Sequence, residues 1–231
     1  RFGADITCGE MAMCTNLLQG HQSEWALLKR HESEDLFGVQ VQGCFPDTMT
    51  RCAELINNYT DVDFVDINSG CPIDLVYKKG GGCGLMTRTR KFEQIIKGMN
   101  SVLDVPLTVK IRTGVQEKSN IAHKLIGEMK NWGVSMITES RHWDISSSER
   151  LDILKSFTNF GLEHWGSDTR GVEKTRNFML EWLSFMCRYI PVGLLERVPQ
   201  KINERPPYYM GRDYLESLMA SQNVEDWIRI R

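Results

Sequence analysis

The sequence predicts an α/β fold, a parallel sheet of βα units, followed by an all-α region. Short β-rich apolar runs alternate, up to about residue 138, with stretches whose apolar residues recur every three or four positions. Beyond that point only the helical period remains. The scale fits: 231 residues with 41% hydrophobic content and a formal charge of -2 are ordinary globular composition, enough for one large or two small domains.

The strand runs are residues 4–8, 37–41, 64–67, 107–111 and 134–138, each nearly continuous in apolar residues, as expected of strands buried on both faces. The helix after the second run opens at Pro46, a residue suited to the first helical position, and sets Met49, Cys52, Ile56 and Tyr59 on one face. Phe92, Ile95, Met99 and Val102 repeat the pattern, as do Ile121, Leu125, Met129 and Trp132 behind a cap at Ser119. Ser146, Ser147, Ser148 and Glu149 spell a capping box that opens the next helix. Phe178, Trp182, Phe185 and Tyr189 mark another, and residues 203–209 read as a loop before a final helix at 212–220. The predicted boundary lies at residues 138–142, giving a sheet domain at 1–138 and a helical domain at 139–231.

Composition excludes several classes. The charge balance is not that of a strongly basic chain, and no apolar stretch approaches the roughly 18 residues of a membrane span. No membrane partner is expected. The N-terminus lacks the apolar core of a secretion signal, and Arg1, standing where Met would, reads as a cut edge. Seven cysteines, an odd number without a C-x-x-C pair, predict free thiols in a reducing compartment, the cytoplasm or the nucleus, and no metal site.

The densest chemical signal is one loop. The strand at 64–67 runs into Asn68, Ser69, Gly70, Cys71 and Pro72, and three consecutive glycines, Gly80, Gly81 and Gly82, precede Cys83. A cysteine at the C-terminal end of a parallel strand stands where α/β folds place their active sites. The glycines permit positive φ and close backbone approach, suited to cradling a phosphate or to folding over a flat ligand. Neither the Walker A nor the G-x-G-x-x-G spacing is satisfied, and a flexible turn with an incidental thiol has the same composition. Lys110 is a charge inside an apolar strand, which calls for a ligand or for a carboxylate partner such as Asp66 or Glu10. Gln40, near a strand end, suits either the edge of a planar heterocycle or neighbouring backbone. In the tail, acids and bases nearly balance. Local clusters at Arg170, Lys174 and Arg176, and at Lys201, Arg205 and Arg212, suit either phosphates or a solvated helix face. None of the five histidines follows a strand in a position to meet Cys71, which argues against a cysteine hydrolase.

The run from Asp63 through Asn68 and Cys71 to Gly82, with Lys110 and Arg112 in their strand and Gln40 in its own, resembles the tRNA-dihydrouridine synthases. The wording Ile73-Asp74-Leu75-Val76-Tyr77-Lys78-Lys79 and the tail from Arg141 onward resemble the type-3 eukaryotic branch of that family, and the resemblance covers essentially the whole chain. It implies a TIM-type (β/α) barrel that binds FMN, followed by an all-α helical domain that holds tRNA. The implied activity is NADPH-dependent reduction of a uridine C5–C6 double bond in the tRNA variable loop, with hydride from reduced flavin at C6 and a proton from a loop cysteine at C5. Cys71 matches that cysteine, and Cys83 is the weaker candidate. Gln40, Lys110 and Asn68 match flavin-contacting positions. Arg112 belongs at the same barrel mouth, toward flavin or RNA phosphate, while Arg170, Lys174, Arg176, Lys201 and Arg205 are the candidates for tRNA contact. A thiol with an ordinary pKa of about 8.5 is protonated near neutrality and suits an acid. The target uridine must leave its stack to be reached.

The sequence also departs from the family. A complete barrel has about eight strands, and only five runs precede the helical tail. Missing against the family are the first strand, the rest of a His-Gly-Arg segment, and the seventh and eighth strands with the Gly-Asn-Gly-Asp and Ala-Arg-Gly motifs that hold the FMN phosphate. Unclosed parallel strands leave two sheet edges unpaired. The expectation is therefore an incomplete barrel with weak flavin affinity and little or no activity, and the rival reading is a non-catalytic tRNA-binding or scaffold remnant.

Overall fold

The computed structural model describes residues 4–116, 120–139, 146–186, 211, 213–221 and 223–230. They form two compact units that divide near residue 141.

The first unit is built on one sheet of β1 (Ile6–Cys8), β2 (Ala12–Met13), β3 (Leu36–Gln42), β4 (Phe64–Asn68), β5 (Leu107–Ile111) and β6 (Met136–Glu139). The order is β1-β3-β4-β5-β6, with β2 also paired to β3, and every ladder is parallel. The helices are α1 (Cys14–Leu18), α2 (Gln22–Ala26), α3 (Pro46–Tyr59), α4 (Asp74–Tyr77), α5 (Thr89–Asn100) and α6 (Ala122–Trp132), with a 3-10 turn at Gly82–Thr87. From β3 onward each strand pairs with the next across an intervening helix, so the unit is an open part of a TIM-type barrel. All five anticipated runs lie on strands. The short β2 was not anticipated.

The register corrects one expectation, that the strands are apolar on both faces. Residues opposite one another in a ladder point to the same face. Gln40, Asp66, Thr108 and Met136 form one such layer, and Asn68, Lys110 and Thr138 the next. The alternate residues Val39, Val41, Val65, Ile67, Leu107, Val109 and Ile111 are buried in one cluster with Met49, Ile56, Phe92, Ile95, Met99 and Met129 of the helices. The sheet therefore has one apolar face against helices and one polar face. Gly38 marks the lower end of the polar face, where the Phe64 ring leaves no room for a β-carbon.

Pro46 opens α3 as expected, and Met49, Cys52, Ala53 and Ile56 are its buried stripe. Tyr59 does not join them and is 76% exposed. At 100° per residue it lies at the edge of the stripe, in the last turn. On α6 the expected cap, Ser119, lies outside the described residues, and Asn120 Oδ1 accepts from the Ala122 amide at 3.2 Å. The helix stops at Gly133, whose φ of 98° is open to glycine at little cost. Phe92 and Trp132 meet edge to face at 6.0 Å.

The second unit contains α7 (Ser147–Trp165), α8 (Thr169–Met186), α9 (Tyr214–Ala220) and α10 (Val224–Arg229). The capping box at Ser146 and Glu149 is formed as the sequence predicts. Gly161 lets α7 approach α8, since a β-carbon there would lie 2.7 Å from Thr175 Cγ2. Arg150 of α7 and Glu216 of α9 form an ion pair at 2.8 Å with 7% and 0% of their side chains exposed. Phe178 is not core, being half-exposed and stacked on Trp165 at 5.1 Å. The side chains of Trp182 and Phe185, and all of Tyr189, lie outside the described residues, and α10 had no counterpart in the expected helices. No described helix is long and apolar enough to cross a membrane.

Candidate active site

The polar face of the sheet ends in the loop that carries Cys71. Beyond β4 the ladder runs one step further, with the Ser69 amide donating to Lys110 O at 2.8 Å. Asn68 then folds the chain over. Its Oδ1 accepts from the amides of Gly70 at 3.2 Å and Cys71 at 2.9 Å, an Asx turn that sets the cysteine at the mouth of the sheet. Gly70 packs on the end of β5, where a β-carbon would be 3.4 Å from Ile111 O.

Two of the expected residues, Asn68 and Gln40, are joined by a hydrogen bond that continues to Asp66. Asn68 Nδ2 donates to Gln40 Oε1 at 2.7 Å, and Gln40 Nε2 donates to Asp66 Oδ2 at 2.8 Å. Thr108 Oγ1 donates to the other Asp66 oxygen at 2.6 Å. Burial pushes the Asp66 carboxyl above its ordinary value of 3.8, and the bonds from Thr108 and Gln40 and the charge of Lys110 pull against that shift. Lys110, directly beside Asn68 in the ladder, is half-buried. Among the described residues it closes no ion pair or hydrogen bond, so the expected pairing with Asp66 or Glu10 is not formed, although its charge reaches Asp66.

The glycines serve the cysteine loop. Gly80 and Gly82 have φ of 87° and 51°. A β-carbon on Gly82 would lie 2.5 Å from Cys71 O, one on Gly81 would collide with the Gln42 amide, and one on Gly80 with Arg88. The close approach that glycine permits is thus to the protein's own turn. Cys83 is fully buried, and Cys71 is half-buried. Burial pushes the Cys71 thiol above its ordinary value of 9.0, opposed by a backbone bond from Ile73 and by the Arg112 guanidinium. Cys83 is pushed up to about 11, mainly by burial, and Arg112 both bonds and opposes it. Arg112 therefore lies by both thiols.

The sequence reading passed over Asp66 and Thr108 as site residues, and two buried atoms without partners among the described residues, Gln42 Oε1 and Ser69 Oγ. The signal was the period-two polarity of residues 40, 42, 66, 68, 108 and 110. In the second unit the expected basic residues sit on α8. Arg170 is exposed, Lys174 lies 5.4 Å from the Trp165 ring centre, and Arg176 is bonded to Glu173 at 2.6 Å. Lys201, Arg205 and Arg212 lie outside the described residues. Among the described residues no cluster of metal-ligating side chains occurs.

A planar heterocycle with a carbonyl-rich edge fits this donor set. Among the described residues Gln40 retains one amide hydrogen and Lys110 a whole ammonium group.

A family profile described as Dihydrouridine synthase (Dus) matches residues 1–139. A Xenopus tropicalis protein named tRNA-dihydrouridine(47) synthase (NAD(P)(+))-like is 64% identical over 301 positions, covering 100% of this chain and 47% of the relative. The human protein of that name is 58% identical over 301 positions, with 100% and 46% covered, and one from rice is 46% identical over 303 positions, with 99% and 44% covered. The chain spans about half the length of the curated relatives it matches. Because 301 aligned positions contain only 231 residues of this chain, at least 70 internal positions are filled by the frog relative alone. By the profile that covers the whole sheet unit, and by relatives that align with all of the chain, the protein belongs to the dihydrouridine synthase family.

Proposed function

We propose that this chain carries the ring-binding and proton-donating part of a tRNA-dihydrouridine synthase that reduces a uridine of the tRNA variable loop, with FMN as cofactor and NADPH as reductant. The observation that supports it best is the Asn68-held turn, which sets the Cys71 thiol by the Arg112 guanidinium at the end of the strand whose Asn68 lies beside Lys110 in the ladder. Bound FMN would supply hydride to uracil C6.

Each residue then has a task. Cys71 holds the proton for C5, and its raised pKa keeps the thiol loaded at neutral pH. Arg112, close to that thiol, stabilises the thiolate left when the proton is given up. Gln40 and Asn68 present amide groups to the ring edge, and Lys110 offers a cation where a reduced ring gathers negative charge. Arg170 and Lys174 of α8 meet RNA phosphates, as do Lys201 and Arg205 of the tail.

The positions filled only by the relatives favour a second reading for the isolated chain. The family profile ends at residue 139, at the end of the edge strand β6. We infer that the extra positions follow it and supply the strands that close the barrel and anchor the FMN phosphate, without which the chain is a non-catalytic remnant. Titration of the purified chain with FMN separates the two. A shifted flavin band with quenched fluorescence, followed by loss of NADPH-dependent dihydrouridine formation in Cys71→Ala, supports the enzyme. Absence of FMN binding overturns it for this chain.

A further inference from the structure

We propose that Asp66 is the positioning residue of the site, the group whose hydrogen bonds fix which way the Gln40 and Asn68 amides point and thereby hold the Cys71 turn. The argument rests on polarity. A carboxamide has two ends of nearly equal shape, one donating and one accepting, so its neighbours decide its orientation. Both Asp66 oxygens act as acceptors, one from Gln40 Nε2 and the other from Thr108 Oγ1. Asp66, 4% exposed, therefore draws Gln40 Nε2 toward itself at 2.8 Å. That turns Gln40 Oε1 outward, where it accepts from Asn68 Nδ2 at 2.7 Å. With its amino group so engaged, Asn68 has Oδ1 left to face the loop, and there it takes the amides of Gly70 and Cys71.

One acceptor at the base of the polar face thus sets the sense of every bond up to the cysteine. Reversing Gln40 would reverse Asn68 and aim an amino group at two backbone N–H groups. Thr108 completes the arrangement by donating to the second Asp66 oxygen at 2.6 Å. Buried networks of this kind act as units. The same polarity fixes which groups Gln40 leaves over for a ring edge, so the catalytic meaning of Asp66 rests on the function proposed above, while its hold on the loop does not.

The test uses the full chain without flavin or tRNA, so its outcome is independent of whether the chain binds either. Hydrogen–deuterium exchange is followed at the Gly70 and Cys71 amides and, as reference, at the β4–β5 ladder. Asp66→Asn, which can donate as well as accept, should speed exchange of the two loop amides about tenfold while ladder amides keep their rates, the scale set by losing one buried hydrogen bond. Unchanged loop exchange in that variant overturns the proposal, and so does parallel acceleration of loop and ladder. If Asp66→Asn does not fold, the Thr108 pair decides: faster loop exchange in Thr108→Val, restored in Thr108→Ser, supports the proposal, and equal rates in the two overturn it.

Discussion

The backbone amide of Cys83 donates to the carbonyl of Cys71 at 3.1 Å, so the segment after the three glycines is pinned to the turn that carries the candidate acid. Gly82 makes this contact possible. Its φ of 51° and the 2.5 Å that would separate a β-carbon from Cys71 O leave no place for a side chain.

Gly82→Ala should therefore loosen the Cys71 turn. Left-handed backbone costs an L-residue about 1–2 kcal/mol, and the clash adds to it, so unfolding free energy should fall by about 1–3 kcal/mol. Denaturant melts measure the loss, and alkylation of Cys71 at fixed pH should quicken in the same variant. Wild-type values for both would mean that the loop relaxes without cost.

Thiol titration gives a second prediction. The folded-state pKa values of Cys71 and Cys83 lie above the ordinary 9.0, that of Cys83 at about 11, because burial disfavours the thiolate. A raised folded value means the stabilising contribution is complete below the unfolded pKa and is lost as pH rises through the folded one. The first unit should thus lose stability from about pH 9 toward pH 11, and Cys83→Ser should flatten that loss in thermal melts. Arg112 opposes the shift at Cys71, so Arg112→Met should move the inflection of Cys71 alkylation to higher pH. An unmoved inflection would separate Arg112 from the thiol.

Much of this was legible in the sequence, and the part that was not has a physical reason. The βα order, the Pro46 start and the Ser146 capping box depend on local spacing, and all are found. The grouping of Gln40, Asn68 and Lys110 came from family resemblance, and the ladder brings them together. Asp66 is legible only as a possible partner of Lys110 and Thr108 not at all, because a strand read for average apolarity hides its alternation, and because cross-strand bonds span 26 to 42 residues that no local period connects. Tyr59 follows Ile56 by a helical step of three but falls at the edge of the buried stripe in the last turn, where it is exposed.

The ion pair of Arg150 and Glu216 should dominate the stability of the second unit. Both are nearly free of solvent, and removing one partner of such a pair typically costs about 3–5 kcal/mol. Arg150→Met is expected to show that cost in thermal melts. The double variant Arg150→Met with Glu216→Leu should recover part of it, because both charges of the pair are then removed together. A double variant as unstable as the single one would place the loss in packing.

The basic face of α8 yields the sharpest test of RNA contact. Arg176 is held by Glu173 through two bonds, Nε to Oε2 at 2.9 Å and the terminal nitrogen to Oε1 at 2.6 Å, whereas Arg170 is exposed and Lys174 leans on Trp165. If the face meets tRNA, Arg170→Ala and Lys174→Ala should each weaken binding and lower the slope of log affinity against log salt by about 1. Arg176→Ala should do less, since its charge is already matched. Glu173→Gln, by releasing Arg176, should tighten binding and steepen the slope. Filter binding of tRNA over a range of salt measures all four variants. A Glu173→Gln chain that binds as the wild type does, together with unchanged slopes for Arg170→Ala and Lys174→Ala, would assign these charges to a solvated helix face.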